Sequence, residues 1–334
     1  MTPPEEFSIA GFKIGAGQRR EIYFKISESF LASSVQIPVT IIRGLHEGPT
    51  VFITAAIHGD EINGIEIVRK LIFETDESRL SGTLLCVPVV NIPGFLEQKR
   101  DLPYNRDLNR FFPGKVRGNN AERVAYKLFT QLVRRSDWGI DLHTAAHGRA
   151  NMPHIRGDMS HPKVRKLARA FGSGVIIDNV GRRGSLRRTA TERGIPTILF
   201  EAGETGKFSR EFSEAGYRGV RNVLEQMGML SRKKNRPRPS YQVIVKNSDW
   251  VRAERGGILD LFFHPGQLVY KGDVLGEILN PFGKTVTKIR SPYTGMLVGV
   301  STQPLAIPGT GICHIARLSK TLSKVEQVLD KISS

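Results

Sequence analysis

The sequence predicts an α/β fold: a doubly wound, mostly parallel sheet followed by a smaller all-β barrel-sandwich. Three observations carry this expectation. Between residues 50 and 230, apolar runs of strand length alternate with stretches of helical periodicity. A charged segment without apolar residues, 231–240, holding Pro237 and Pro239, then reads as a linker. Beyond it, short β-rich stretches are separated by Gly and Pro turns. The expected division is therefore 1–235 and 241–334.

The N-terminal segment, 1–45, is β-rich, with strands expected at 21–26 and 36–42. The run 50–57, Thr-Val-Phe-Ile-Thr-Ala-Ala-Ile, is continuously apolar, as a strand buried on both faces would be. Apolar residues at 62, 65, 67, 68, 71 and 72 then follow helical spacing. Strands are expected at 83–90, 138–142, 175–177 and 195–200. Helices are expected at 121–133, 163–171 and 217–230. In the C-terminal part, Gly256-Gly257, Pro265-Gly266, Lys271-Gly272-Asp273 and Pro308-Gly309 mark turns, and a short helix is expected from about Ser319.

Composition limits the function classes. The chain is 40% hydrophobic and 24% charged, which excludes wholesale disorder. Its two cysteines, Cys86 and Cys313, are far apart and supply neither a disulfide framework nor a cysteine zinc site. No apolar run reaches the ~18–20 residues of a membrane span, and Met1-Thr-Pro-Pro-Glu-Glu6 is no secretory signal, so a cytoplasmic location without a membrane partner is expected. Forty-nine Lys and Arg against 32 Asp and Glu give a net charge of +17. The excess gathers at Arg182, Arg183, Arg187, Arg188 and Arg193, and again at 232–238. An anionic partner and a merely basic surface explain this equally well. Nucleic acid is the less favoured partner, because no recognised nucleic-acid-binding signature accompanies the charge.

The polar residues of interest sit at the ends of expected strands, where ligands bind in open parallel sheets. His58-Gly-Asp-Glu61 follows the first buried strand and opens a helix. That spacing lets an imidazole and a carboxylate meet one cation. A further histidine completes the His₂Glu set of catalytic zinc, with a fourth position open. His143, directly on its strand, is preferred as third ligand over His147 and the remoter His154. Glu201 follows the run 195–200 and suits a general base. The loop 100–110 gathers three arginines and two asparagines, and a guanidinium there can clamp a substrate carboxylate.

Five segments occur in an order that resembles the succinylglutamate desuccinylase/aspartoacylase family. They are Ala55-Ala-Ile-His-Gly-Asp-Glu61, Asp107-Leu-Asn-Arg110, Phe112-Pro-Gly114, Asp141-Leu-His-Thr144 and Phe200-Glu-Ala-Gly203. The likeness runs from about residue 43 to 206. It implies a zinc carboxypeptidase-like sheet and one Zn²⁺ per chain, held by His58, Glu61 and His143. It also implies Glu201 as general base and then acid, Asn109 and Arg110 as the substrate-carboxylate clamp, and Arg100 at the developing oxyanion. Arg106 competes for that last role. Tyr293 is a candidate for an aromatic residue contributed by the C-terminal part. That part resembles biotinyl/lipoyl domains but lacks their lysine context at 280–284, so it is expected to shape the cleft.

The expected function is a zinc-dependent amidohydrolase cutting a small N-acyl amino acid. The first alternative is a metallocarboxypeptidase removing glutamate from an acidic peptide or protein. The second, of another class, is a basic non-catalytic protein binding nucleic acid or an anionic surface. The acyl group, the amino acid and the oligomeric state are not readable.

Overall fold

The computed structural model describes residues 7–29, 31–232 and 239–333. The centre of the expected linker, 233–238, lies outside the described residues, as does the start, 1–6.

A small hairpin, β1 (Phe7–Ile9) and β2 (Phe12–Ile14), precedes a long one, β3 (Arg19–Glu28) and β4 (Ser34–Arg43). Then come β5 (His46–Ala55), α1 (Asn63–Glu74), β6 (Ser81–Val87), α2 (Ile92–Leu96), α3 (Asn120–Gln131) and β7 (Trp138–His143). They are followed by β8 (Arg149–Gly157), α4 (Pro162–Phe171), β9 (Val175–Asp178), α5 (Leu186–Glu192), β10 (Thr197–Glu204) and α6 (Arg210–Gln226). The C-terminal region holds β11 (Val243–Val245), β12 (Ser248–Arg252), β13 (Gly257–Leu261), β14 (Leu268–Val269) and β15 (Val274–Leu279). It ends with β16 (Thr285–Arg290), β17 (Gly295–Ser301), β18 (Leu305–Ala306), β19 (Gly311–Arg317) and α7 (Leu322–Ser333).

The centre of the large sheet is parallel, in the order β6-β5-β7-β10. Its strands carry continuous buried apolar runs because both faces are covered. Along β5, Val51, Ile53 and Ala55 pack with α1, α4 and α6, while Phe52 packs with α3 and α5 on the other face. Antiparallel strands extend this centre on both sides: β4 and β3 beyond β6, and β8, β17, β19 and β12 beyond β10. The sheet thus runs without a break from the N-terminal hairpin into the C-terminal region, and β11 joins it beside β9. A separate antiparallel sheet, β16-β15-β13-β18, packs its Leu259, Leu275 and Ile278 against Leu297, Ile312 and Ile315.

Several elements depart from expectation, among them α6, α5 and β8. Helix α6 begins at Arg210, seven residues ahead of Tyr217, because the Ser209 hydroxyl caps it by accepting from the Phe212 N–H at 3.3 Å. Helix α5 forms inside the arginine-rich stretch, burying Leu186, Arg187 and Ala190. Strand β8 carries no run of apolar residues and has Pro153 at its middle, so no sequence pattern announced it. No helix among the described residues is long and apolar enough to cross a membrane.

Candidate active site

Four of the residues singled out from the sequence lie at the carboxyl edge of the parallel strands. His58 and Glu61 lie between β5 and α1, His143 ends β7, and Glu201 lies opposite His143 on the neighbouring β10. Adjacent strands are ~4.8 Å apart, so the pairing brings these two side chains into one site. Helix α1 can start close behind because Gly64 lets its backbone approach β5 and β7; a Cβ there would stand 2.8 Å from that of Leu142.

His58, Glu61 and His143 are all buried, and their ligand atoms lie within 4.8 Å of one another. Each Glu61 oxygen faces one imidazole: Oε1 is 2.7 Å from His58 Nδ1 and Oε2 is 2.8 Å from His143 Nδ1. Thr144 donates its backbone N–H to Oε2 at 3.1 Å, and Arg100 Nη1 donates to Oε1 at 3.0 Å. Burial alone would raise the Glu61 pKa, but the two imidazoles and their hydrogen bonds hold it well below the usual carboxylate range.

The far nitrogens of both rings rest on carboxylates. His143 Nε2 is 2.9 Å from Asp141 Oδ2, and His58 Nε2 is 3.1 Å from Asp107 Oδ1. Asp141 is itself fixed by the Thr54 hydroxyl, which donates to Oδ1 at 2.7 Å. Burial works against protonation of His143, yet Asp141 and Glu61 raise its pKa well above the ordinary value. A carboxylate behind each imidazole is the arrangement that orients metal-ligating histidines. Two imidazole nitrogens and a carboxylate, buried together with these supports, fit a zinc ion by the chemistry of the donor set.

Of the rival third histidines, His147 is exposed. His154 is buried, but its Nδ1 lies 2.9 Å from the Met152 carbonyl and its Nε2 accepts from Arg156 at 3.1 Å. Arg100 reaches the cluster, contacting Glu61 and, through Nη2, Asp107 at 3.1 Å. Arg106 is one of the cations acting on Glu122 of α3. Arg110 pairs with Asp107 at 3.1 Å, beside Arg100. Asn109 is buried, and its carboxamide oxygen accepts from the Leu186 N–H at 2.8 Å, tying the loop to α5. Tyr293 lies beneath the Arg317 guanidinium, 3.4 Å from the ring centroid.

Glu201 is held by residues that no motif marked. Asn151 Nδ2 donates to Oε2 at 2.9 Å, and Arg156 Nε lies 3.5 Å from Oε1. Both come from β8. Pairing of β8 with β10 shifts by one residue between Glu201↔His154 and Gly203↔Asn151. This bulge resets the alternation, so that Asn151, His154 and Arg156 share the face of Glu201. Asp107 and Asp141 also went unassigned, although Asp141 stands two residues before His143 on one strand, and such a pair shares a face.

Residues 47–227 match the model of the succinylglutamate desuccinylase/aspartoacylase catalytic domain. The chain is 29% identical over 304 residues to the N-alpha-acetyl-L-2,4-diaminobutyric acid deacetylase of Halomonas elongata, covering 86% of this chain and 88% of that protein. It is similar in structure to a succinylglutamate desuccinylase from Silicibacter, with a TM-score of 0.82 and 22% identity, over 96% of this chain and 100% of that one. The product-bound ectoine utilization protein EutE (DoeB) of Ruegeria pomeroyi aligns with a TM-score of 0.81 and 24% identity, over 91% and 98% of the two chains.

Proposed function

The chain belongs to the succinylglutamate desuccinylase/aspartoacylase family, and on that premise we propose that it is a zinc-dependent deacylase hydrolysing the amide bond of a small N-acyl amino acid. Its central sheet is then of the zinc-carboxypeptidase type. The observation that carries this reading is the buried group of His58, Glu61 and His143 with Glu201 opposite on the next strand.

His58, Glu61 and His143 would hold one zinc ion, with Asp107 and Asp141 fixing the two imidazoles. Zinc bound there would act as a Lewis acid on the scissile carbonyl and make water a nucleophile at neutral pH. Glu201 takes the proton from the attacking water and delivers it to the departing amine. The Arg100 guanidinium stabilises negative charge growing on the carbonyl oxygen. Arg110 and the amide nitrogen of Asn109 grip the substrate carboxylate, and that grip orients the amide for attack. The deacetylase activity in the name of the Halomonas relative supports an acyl-amide substrate.

Elemental analysis of wild type and His143→Ala, side by side, tests the metal assignment. About one zinc per wild-type chain, lost in the variant, is expected for a three-ligand site. A wild type that takes up no zinc on reconstitution overturns the reading. Glu201→Gln is expected to retain zinc while kcat on an N-acyl amino acid falls by about 10²–10⁴-fold. Near-normal turnover removes Glu201 from its role.

A further inference from the structure

We propose that Asn151 is a positioning residue for the Glu201 carboxylate, and that the C-terminal region takes part in the reaction through Gly299, whose missing side chain gives Asn151 its place. This rests on Glu201 being the general base.

A single row of paired residues crosses four strands: Gly203 on β10, Asn151 on β8, Gly299 on β17 and His314 on β19. Asn151 is buried between two glycines in that row. A Cβ built on Gly299 would stand 2.4 Å from Asn151 Oδ1, a distance that real Cβ contacts do not show. Gly299 is not among the residues with positive φ, so its backbone does not require glycine there. What the position requires is space for the Asn151 carboxamide.

The carboxamide fills that space in one sense. Its Oδ1 lies toward Gly299 and its Nδ2 donates to Glu201 Oε2 at 2.9 Å. The opposite orientation would set an amide oxygen against a carboxylate oxygen. With Oε2 pinned, Oε1 meets the Arg156 guanidinium at 3.5 Å and, among the described residues, is the oxygen free to take the proton in the proposed role. Arg156 is aimed in turn, because its Nε donates to His154 Nε2, and Nδ1 of that ring is engaged by the Met152 carbonyl. The β8 bulge brings Asn151 and Arg156 to the same carboxylate, and β17 sets the room on the far side. The C-terminal region thus reaches the base through the shared sheet.

The test compares zinc-loaded wild type, Asn151→Asp, Asn151→Ala, Gly299→Ala, the Asn151→Ala/Gly299→Ala double variant and Glu201→Gln on an N-acyl amino acid. Asn151→Asp keeps the shape and turns the donor into an acceptor, so packing is preserved while the contact is lost. We expect kcat to fall by about 10- to 100-fold in each Asn151 and Gly299 single variant, with KM and zinc content unchanged. The double variant is expected to be no worse than the poorer single one, because both act through one contact. Normal kcat in Asn151→Asp overturns the proposal even if Gly299→Ala fails to fold. Additive losses in the double variant overturn the role of Gly299. Loss of turnover in Glu201→Gln with normal turnover in Asn151→Asp refutes only this inference. Normal turnover in Glu201→Gln refutes the base assignment and this inference with it.

Discussion

With His58 and His143 as the proposed zinc ligands, the carboxylates behind them set how well the two imidazoles would bind the ion. Asp141 is fully buried, bonded to His143 Nε2 at 2.9 Å and to the Thr54 hydroxyl at 2.7 Å. Asp141→Asn keeps the shape but removes the charge that favours a basic, oriented imidazole. Zinc affinity, measured by competition with a chelator, is expected to fall by about 10–100-fold, and unchanged affinity would show that Asp141 serves packing alone. Another buried imidazole, away from the ligand cluster, bears on acid stability. His314 stacks on Trp250 with ring centroids 5.0 Å apart, and its Nδ1 has no hydrogen-bond partner among the described residues. Burial first, then Arg156 and Arg149, push its pKa down to about 3. His154, which also faces His314, is lowered well below the ordinary value by burial and Arg156. A folded-state pKa below the unfolded value of ~6.5 means that the unfolded chain binds the extra proton, so stability falls as pH drops from about 6.5 toward about 3. His314→Phe keeps a ring against Trp250 and is expected to flatten that fall in urea midpoints measured across the range; an unchanged slope would place the acid sensitivity elsewhere.

Among elements, legibility followed burial on two faces. Strands β5, β6, β7 and β10 are covered by helices on both sides, so their apolar runs stood out, and His58, His143 and Glu201 could be placed at their ends. Strand β8 lies in the same sheet, but its Arg149, Asn151, His154 and Arg156 are polar and Pro153 interrupts it. Its alternation also changes phase at the bulge, so neither a continuous nor a period-two pattern survives. The supports of Glu201 therefore stayed hidden, since their proximity is a property of strand register. Helix α1 shows how tightly the legible elements are set. Gly64→Ala would gain ~1 kcal/mol of helix propensity. Its new methyl, however, would lie 2.8 Å and 2.9 Å from the Cβ atoms of Leu142 and Ala55, which their strands hold in place. Overpacking of this kind costs ~1–3 kcal/mol, so net destabilisation and weaker zinc binding through a displaced Glu61 are expected. Denaturant midpoints and zinc titration check both, and a stabilised variant with unaltered zinc affinity would contradict this packing.

For the whole molecule, the central question is whether the two regions suggested by the break in sequence texture unfold as two units. A +17 charge and a basic linker read naturally as a tether between separate bodies. The pairing argues for coupling instead. β8 joins β17, β9 joins β11, and Val175 and Ile177 share one apolar cluster with Val243, Met296, Val298 and Val325. Separating the regions would break two ladders and expose that cluster, so neither side gains by opening alone. The chain holds two tryptophans, Trp138 on β7 and Trp250 on β12, one on each side of the junction. Trp138→Phe and Trp250→Phe each leave one fluorescent reporter. Urea unfolding of the two variants, each corrected for its own stability by far-UV circular dichroism, is expected to give fluorescence and dichroism midpoints that coincide in both. If Trp250 reports unfolding at lower urea than the dichroism of the same variant, the C-terminal region opens first. It would then be able to leave β8, and the geometry around Asn151 would depend on a docking equilibrium instead of on a continuous sheet.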